Sequence, residues 1–275
     1  MARKQDKSLR ELLRVAPGRR VALDDELADS TPGIEERDVA TALLELARQQ
    51  LRELQYKLYA DGRFGLLVVL QAMDAGGKDG TIRHVISAFN PQGCHVTGFK
   101  APSAEELEHD FLWRIHQAAP RRGEVGVFNR SHYEDVLVVR VDNLVPRPVW
   151  SARYAQINDF ERMLVANDIR VVKFMLHVSR KEQRKRLQER LKDPRKLWKF
   201  DPADLQKRKQ WNAYRAAYED ALAKCSTRHA PWYVIPGDRK WYRNYAVARI
   251  LVETLEDLPL RWPSAEVDPK KIVIR

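Results

Sequence analysis

The stretch LLVVLQAMDAGGKDGTI, residues 66–82, has the order of a strand, a glycine turn, a lysine and a helix start. Its five leading apolar residues predict a strand buried on both faces, as in a parallel sheet. The order is typical of a phosphate-binding loop, whose usual pattern is G-x-x-x-x-G-K-[ST]. This sequence departs from the pattern twice, with Ala72 at the first glycine position and Asp79 at the Ser/Thr position. The alternative is a tight turn with a surface salt bridge.

The residues of this turn favour phosphate binding through a metal ion. Gly76 and Gly77 let the backbone N–H groups face an anion, and the helix start adds a positive dipole. Lys78 can reach the same oxyanions, whereas Asp74 and Asp79 would repel phosphate unless a cation such as Mg²⁺ lies between. We therefore expect Asp74 and Asp79 to bind metal. The rest of the predicted phosphate loop comprises Ala75, Gly76, Gly77, Gly80 and Thr81.

Strand and helix patterns alternate along the chain. The predicted strands are residues 64–71, CHVTGF, EVGVFN, VVKFMLHVS and WYVIP; the predicted helices lie near residues 35–59, 79–89, 104–118, 133–141, 150–166, 180–191, 202–224 and 240–256. This alternation predicts an α/β fold with a doubly wound, mostly parallel sheet. Ligands of such folds bind beyond the carboxyl ends of the strands, where the turn at 72–80 lies.

The bulk properties set the class of protein. The chain has 275 residues, of which 44% are hydrophobic and two are cysteines, Cys94 and Cys225. Residues 1–34 are polar and predict an irregular N-terminal arm before a domain at 35–275. We expect neither a secretory signal nor a membrane span, because no apolar run approaches the roughly 20 residues that a span requires. With two cysteines and no disulfide framework, a cytoplasmic protein is expected.

The positive charge is concentrated in one segment. The net charge is +11, and residues 180–209 hold 13 Lys/Arg against 5 Asp/Glu. Such a patch predicts a polyanionic ligand, and the alternative is a solvated helix face. Arg186 and Arg190 share a helix face, and Lys196 and Lys199 follow a proline. We therefore predict a basic helical lid over the phosphate site.

A second group of candidate residues follows the strand EVGVFN. The strand carries Asn129 and Arg130 to the sheet edge, where the guanidinium can bind phosphate in a forked geometry. Glu134 and Asp135 follow within a helical turn and could bind metal or hydroxyl groups of an acceptor. A simple helix cap is the alternative. Arg114, on the predicted helix DFLWRIH, is a further candidate for an acceptor phosphate, against the alternative of a surface arginine.

These motifs together resemble the polyphosphate kinase 2 family, most closely its class III members. The resemblance rests on LLVVLQAMDAGGKDGTI, FNRSHYEDVLVVRV, RLQERLKDPRKLWKF and APWYVIPGDRKWYRN, and covers roughly residues 35–275. It implies a thymidylate-kinase-like P-loop fold of three layers with a lid. It also implies reversible Mg²⁺-dependent phosphoryl transfer from inorganic polyphosphate to AMP and ADP, with Mn²⁺ and guanine nucleotides as further possibilities. Homo-oligomers are implied too, and helix 35–59 could supply a contact.

The resemblance assigns roles to matching residues. Asp74, Lys78 and Asp79 match the acid, lysine and acid of the family's phosphate loop, and Arg130 matches the arginine after the second strand motif. Arg186, Arg190, Lys196 and Lys199 match the polyphosphate-binding positions of the lid. One departure is Asn129, where related kinases carry aspartate, which makes Asp74 the better expected metal ligand. Asn129, Arg114, Glu134 and Asp135 remain the candidates for the acceptor nucleotide.

Two other functions remain open from the residues. An ATP-dependent nucleoside monophosphate kinase would share the phosphate loop and the lid. A nucleic-acid-binding module would share the basic charge, although we find no sequence-reading motif and expect no nucleic-acid partner.

Overall fold

Five parallel strands form one sheet at the centre of the structure, a computed structural model that describes residues 8–264 and residue 272. The strands are β1 Gly65–Gln71, β2 Cys94–Gly98, β3 Val125–Asn129, β4 Ile169–His177 and β5 Trp232–Pro236, in the order β2-β3-β1-β4-β5. β1 pairs with β3 on one side and with β4 on the other. The strand order therefore reverses around β1, and the loop after it lies at the position where ligands bind in such sheets.

Helices cover both faces of the sheet. They are α1 Leu9–Leu13, α2 Asp25–Asp29, α3 Arg37–Asp61, α4 Lys78–His84, α5 Ala104–Leu107, α6 Trp113–Gln117, α7 Val138–Val141, α8 Arg147–Ala166, α9 Arg180–Lys192, α10 Ala203–Lys209, α11 Trp211–Cys225 and α12 Lys240–Glu256. Short 3-10 segments lie at Ile86–Ala88, Pro91–Gly93, His132–Asp135 and Leu197–Lys199. Among these described residues, no helix is both long enough and apolar enough to cross a membrane.

The strand residues alternate between two hydrophobic cores. Leu66, Val68 and Leu70 of β1 pack with α3 and α12, whereas Leu67 and Val69 pack with α8 and α11. All seven residues of β1 are buried, because helices cover the sheet on both faces. The result is the predicted three-layer α/β architecture.

Four predicted helices are shorter or broken. The helix predicted at 79–89 ends at His84, where the chain turns into a 3-10 segment. The helix predicted at 104–118 consists of α5 and α6, and the one predicted at 133–141 is a 3-10 turn followed by α7. The helix predicted at 202–224 breaks into α10 and α11 at Gln210, whose ψ of 18° leaves the helical range. Helical spacing of apolar residues continues across each break, so the breaks could not be predicted from that spacing.

Residues 8–34 are largely irregular apart from α1 and α2, and they pack against the sheet and its helices. Leu13 belongs to one core, and Val15 and Leu23 belong to the other. The N–H of Val15 donates to the carbonyl of Trp232 at 2.9 Å, so this segment covers the outer edge of β5. An edge strand that is covered in this way cannot pair with another chain.

Candidate active site

The turn after β1 forms the floor of a cavity of about 610 Å³. Its backbone needs positive φ at Ala75 (60°) and at Gly77 (113°). Gly76 is packed so closely that a Cβ there would lie 2.6 Å from Cβ of Ala72. α4 then begins at Lys78, so its first N–H groups lie beside the cavity. The structure thus has the geometry of a phosphate loop despite the two departures in its sequence.

Lys78 lies in this loop with its side chain partly buried and its ammonium group at the cavity. Its only hydrogen bond within the described chain runs from Nζ to the carbonyl of Ala72, at 3.2 Å. Burial, together with the nearby charge of Arg130, lowers the pKa of Lys78, and the carboxylates of Asp74, Glu134 and Asp79 oppose that shift. A lysine with one weak partner in a site of this kind is well placed to bind an oxyanion.

Asp74 and Arg130 form an ion pair beside Lys78. Nη2 of Arg130 donates to Oδ1 of Asp74 at 2.8 Å, and Nζ of Lys207 lies 3.7 Å from Oδ2. Arg130 has a positive φ of 64°, a conformation that non-glycine residues rarely adopt. Such local strain persists only where the surroundings impose it, and it directs the guanidinium towards the phosphate loop.

A buried polar cluster holds the segment that follows Arg130. Lys173 of β4 forms an ion pair with Glu161 of α8, and its Nζ donates to the hydroxyl of Tyr133 at 2.9 Å. His132 lies 3.2 Å from the same carboxylate of Glu161. All four side chains are buried, so charge-assisted hydrogen bonds in the protein interior hold the loop after β3 in place.

The residues present fit a magnesium ion. Asp79 accepts from Nδ2 of Asn129 at 3.2 Å and from Nζ of Lys199 at 3.0 Å. Burial opposes ionisation of Asp79, but the bonds from Lys199 and Asn129 outweigh it and lower its pKa. No cluster of three or more metal-binding side chains occurs among the residues that the structure describes. Mg²⁺ is usually held by one or two carboxylates and substrate phosphates, and Asp74 and Asp79 supply two carboxylates at one cavity.

The basic segment lies over the cavity, where the lid was predicted. α9 and the segment around the turn at Leu197–Lys199 bring Arg190, Lys196 and Lys199 to its wall. Arg190 donates to the carbonyl of Lys199 at 3.1 Å and to Asp204 at 3.2 Å. Trp198 also lines the cavity and is 78% exposed.

Arg186, which we predict to bind the donor chain, has its guanidinium bonded to backbone carbonyls. Arg186 is only 7% exposed. Its guanidinium donates to the backbone carbonyls of Ala75 and Gly76 at 3.2 Å, and to those of Gly237 and Asp238 at 2.6 and 3.1 Å. Its charge is therefore used to hold the phosphate loop and the loop after β5, while Arg190, four residues later, is half-buried.

The predicted acceptor residues do not converge on one place. Asn129 lines the main cavity, and Glu134 lines a narrow cleft on the other side of the Asp74–Arg130 pair. Arg114 lies in a separate groove and pairs with Glu106 at 3.3 Å. Asp135 pairs with Arg153 at 2.8 Å, and burial raises its pKa to about 6. Arg114 and Asp135 thus each have another partner and lie outside the main cavity.

The wall of the cavity that faces the lid was not predicted from the sequence. That wall is built from α4 and from the first turn of α12, with Arg83, His84, Lys240, Arg243 and Asn244. A signal was present, since Pro236 and Gly237 end a buried strand at the same edge of the sheet as the phosphate loop. The stretch APWYVIPGDRKWYRN carries Lys240, Arg243 and Asn244, but their residue types alone indicated no role.

The model of the family described as Polyphosphate kinase 2 (PPK2) matches residues 34–261. The chain belongs to the polyphosphate kinase 2 family. It is 52% identical to the AMP/ADP-polyphosphate phosphotransferase of Meiothermus ruber, over 95% of this chain and 98% of that protein. It is 43% identical to the ADP-polyphosphate phosphotransferase of Rhodopseudomonas palustris, over 95% of each.

Solved structures of the family agree with the fold. A crystal structure of polyphosphate kinase 2 from Arthrobacter aurescens TC1 matches with a TM-score of 0.91 and 46% identity, covering 96% of this chain and 94% of that chain. The predicted family and the α/β fold of P-loop kinase type are confirmed.

Proposed function

We propose that this polyphosphate kinase 2 transfers phosphoryl groups from inorganic polyphosphate to AMP and to ADP, with Mg²⁺ as the metal ion. The observation that supports this most directly is the cavity itself. Nine Lys/Arg and five Asp/Glu line it around one phosphate loop. A long polyanion can neutralise such an excess over several of its phosphates. The whole-length similarity to an AMP/ADP-polyphosphate phosphotransferase supports the same acceptors.

The transfer requires positioning and charge compensation from the protein. The bond between the terminal phosphorus of the chain and its bridging oxygen breaks, and the shortened chain leaves with the bonding electrons. A new bond forms between that phosphorus and a phosphate oxygen of AMP or ADP. Lys78 and Arg130 would bind the transferred phosphoryl group, since both lie at the phosphate loop and retain donors for it. Arg190, Lys196 and Lys199 would bind the donor chain from the lid.

Mg²⁺ would be held by Asp74 and Asp79, and Mn²⁺ suits the same oxygen ligands. When bound, the ion supplies positive charge to the phosphate oxygens. The two carboxylates would hold it at the phosphate loop, and Asn129 donates to Asp79 through its amide.

The acceptor would lie on the β3 side of the phosphate loop. Asn129 lines the cavity there, and Glu134 opens into the cleft that Trp211, Tyr214 and Tyr218 line. Aromatic rings suit a nucleoside base, and a carboxylate suits the ribose hydroxyls. The cleft holds only about 30 Å³, so the segment with Lys207 and Trp211 has to move before a nucleoside can enter.

Oligomerisation, guanine nucleotides as further substrates and a cytoplasmic location belong to the same proposal. α3 leaves Leu46, Tyr56 and Tyr59 exposed, which supports its predicted role as a contact between subunits. Light scattering after size-exclusion chromatography measures the subunit number, and GMP and GDP can replace the adenine acceptors in the assay below.

The test is incubation of the protein with AMP, long-chain polyphosphate and Mg²⁺, followed by separation of AMP, ADP and ATP by ion-exchange chromatography. We expect ADP to appear first and ATP afterwards, with polyphosphate consumed in proportion. A parallel reaction has ATP as the donor and no polyphosphate. Rapid phosphorylation of AMP by ATP, with none by polyphosphate, would contradict the proposal and favour a nucleoside monophosphate kinase.

A further inference from the structure

Arg243, in the first turn of α12, has a buried guanidinium with unused hydrogen-bonding capacity. Its side chain is 2% exposed, and it lines the cavity of the phosphate loop. Nε and Nη2 both donate to Oδ1 of Asn244, at 3.2 and 2.8 Å. Within the described chain, Nη1 makes no hydrogen bond and no carboxylate lies within ion-pair distance. A buried, unpaired charge is costly unless a ligand completes it.

The phosphate loop is shaped around this guanidinium. A Cβ at Gly77 would overlap Nη1 of Arg243, and a Cβ at Gly80 would lie 2.9 Å from Nη2. The two glycines therefore let the guanidinium approach the start of α4, whose N–H groups lie beside the cavity. Any side chain at Gly77 would separate Arg243 from the loop. This gives a physical reason for glycine at both positions in the sequence GGKDG.

The neighbours of Arg243 increase the positive charge. Burial, together with the like charge of Arg186, lowers the pKa of Arg243 to about 9. Lys240, one turn earlier, lines the same cavity with Nζ 4.0 Å from a carboxylate oxygen of Glu189 in the lid. Arg83 of α4 lies on the same wall. A single multiply charged anion could neutralise the positive charge of Arg243, Lys240 and Arg83 together.

The sheet topology decides which substrate reaches this wall. β3, which carries Asn129 and Arg130, lies on one side of β1. β4 and β5, which lead into the lid and into α12, lie on the other side. Arg243 and the lid therefore belong to the same half of the site, opposite the residues proposed for the acceptor.

We propose that Arg243, supported by Lys240, binds a phosphate group of the polyphosphate donor on the wall of the cavity opposite the lid. The chain would then run between two basic surfaces, the lid and the first turn of α12, with its terminal phosphate at Lys78. This proposal rests on the proposed function, since it assigns a subsite to that donor. It makes Arg243 a binding residue for phosphates that are not transferred.

The test is direct binding by isothermal titration calorimetry, without turnover, of short-chain polyphosphate and separately of ADP. The variant is Arg243→Gln, which keeps a hydrogen-bonding side chain and removes the charge. The matched control is Arg249→Gln on the same helix, because Arg249 pairs with Glu253 and lies away from the cavity. For Arg243→Gln we expect polyphosphate binding to weaken by roughly tenfold to a hundredfold, as for loss of a charge-assisted hydrogen bond. ADP binding should change by less than about twofold, since no acceptor contact is removed.

Equal polyphosphate affinity in Arg243→Gln and Arg249→Gln would overturn the proposal, and so would an equal loss for ADP. If Arg243→Gln does not fold, Lys240→Gln carries the test, because Lys240 is exposed at the same wall. We expect about threefold weaker polyphosphate binding there, as for one solvent-exposed charge, and no change would again overturn the proposal. Wild-type protein that binds no polyphosphate would refute the proposed function itself. Normal wild-type binding with unchanged variants would refute only this subsite.

Discussion

Replacing Arg186 by methionine should destabilise the protein far more than it weakens donor binding. Methionine keeps much of the apolar stem and removes the guanidinium. The carbonyls of Ala75 and Gly76 in the phosphate loop lose their donor, as do those of Gly237 and Asp238 after β5. Two loops that Arg186 now joins would no longer be held together.

The magnitude follows from these bonds. A hydrogen bond to a charged group contributes about 1.5–3 kcal/mol, and a buried acceptor left without a donor costs about 1–3 kcal/mol. Water can reach some of the four carbonyls, and the losses are not additive. We therefore expect the free energy of unfolding to fall by about 3–5 kcal/mol. At roughly 2–4 °C per kcal/mol for a chain of this size, Tm should fall by about 6–20 °C.

The assay is thermal unfolding followed by circular dichroism, with Arg184→Met as the matched control. Arg184 lies on the same helix, carries the same charge and is exposed, so its loss should cost less than about 0.5 kcal/mol. Arg190→Met should raise the KM for polyphosphate with a smaller change in Tm. If Arg186→Met unfolds within about 2 °C of Arg184→Met and raises the polyphosphate KM instead, Arg186 binds the donor and our interpretation is wrong.

Three further predictions concern the phosphate loop and its surroundings. Lys78→Met should lower kcat by about a hundredfold, the effect of removing one transition-state contact, with little change in Tm; near-normal turnover would exclude the phosphate-loop role. Asp74→Asn and Asp79→Asn should each raise the Mg²⁺ concentration for half-maximal rate, because amides are weaker ligands for hard cations; an unchanged Mg²⁺ titration in both would place the metal elsewhere. Asp135 has a folded pKa of about 6 against an ordinary value of 3.8, so the folded state retains a proton that the unfolded state releases. The free energy of unfolding should therefore fall by about 3 kcal/mol as pH rises from about 4 to about 6, relative to Asp135→Asn in urea titrations, and parallel pH profiles would contradict this.

Much of the architecture was predictable because its signals are local. The buried run before the glycines, and the alternation of strands and helices, follow from hydrophobic periodicity within short windows. The loop after β1 was predictable as a site because its place at the end of a central strand follows from the topology. The basic lid was predictable from charge density, because residues 180–209 hold 13 Lys/Arg against 5 Asp/Glu. Such an excess is larger than a solvated helix face requires for solubility.

The different contacts that neighbouring residues of the same type make were not predictable from the sequence. Arg186 and Arg190 share a helix face, yet only the first lies over the carbonyls of the phosphate loop. Glu134 and Asp135 are adjacent, but in a 3-10 turn they diverge, one to the cleft and one to Arg153. Arg243 lies beside the phosphate loop although more than 160 residues separate the two in the sequence. Such differences depend on the depth and direction of each side chain, which no local pattern encodes.

The lid lysines and the expected metal would compete for the same oxygens. Nζ of Lys199 donates to a carboxylate oxygen of Asp79 at 3.0 Å, and Nζ of Lys207 lies 3.7 Å from a carboxylate oxygen of Asp74. An ion held by either carboxylate would weaken its contact with a lysine, and that lysine would then be available to the phosphates of the donor. Metal binding and donor binding would thus favour each other, since both use the contacts that the lysines now make with the carboxylates. An enzyme built in this way would gain little from free Mg²⁺ and most from polyphosphate that arrives with its counterion already attached.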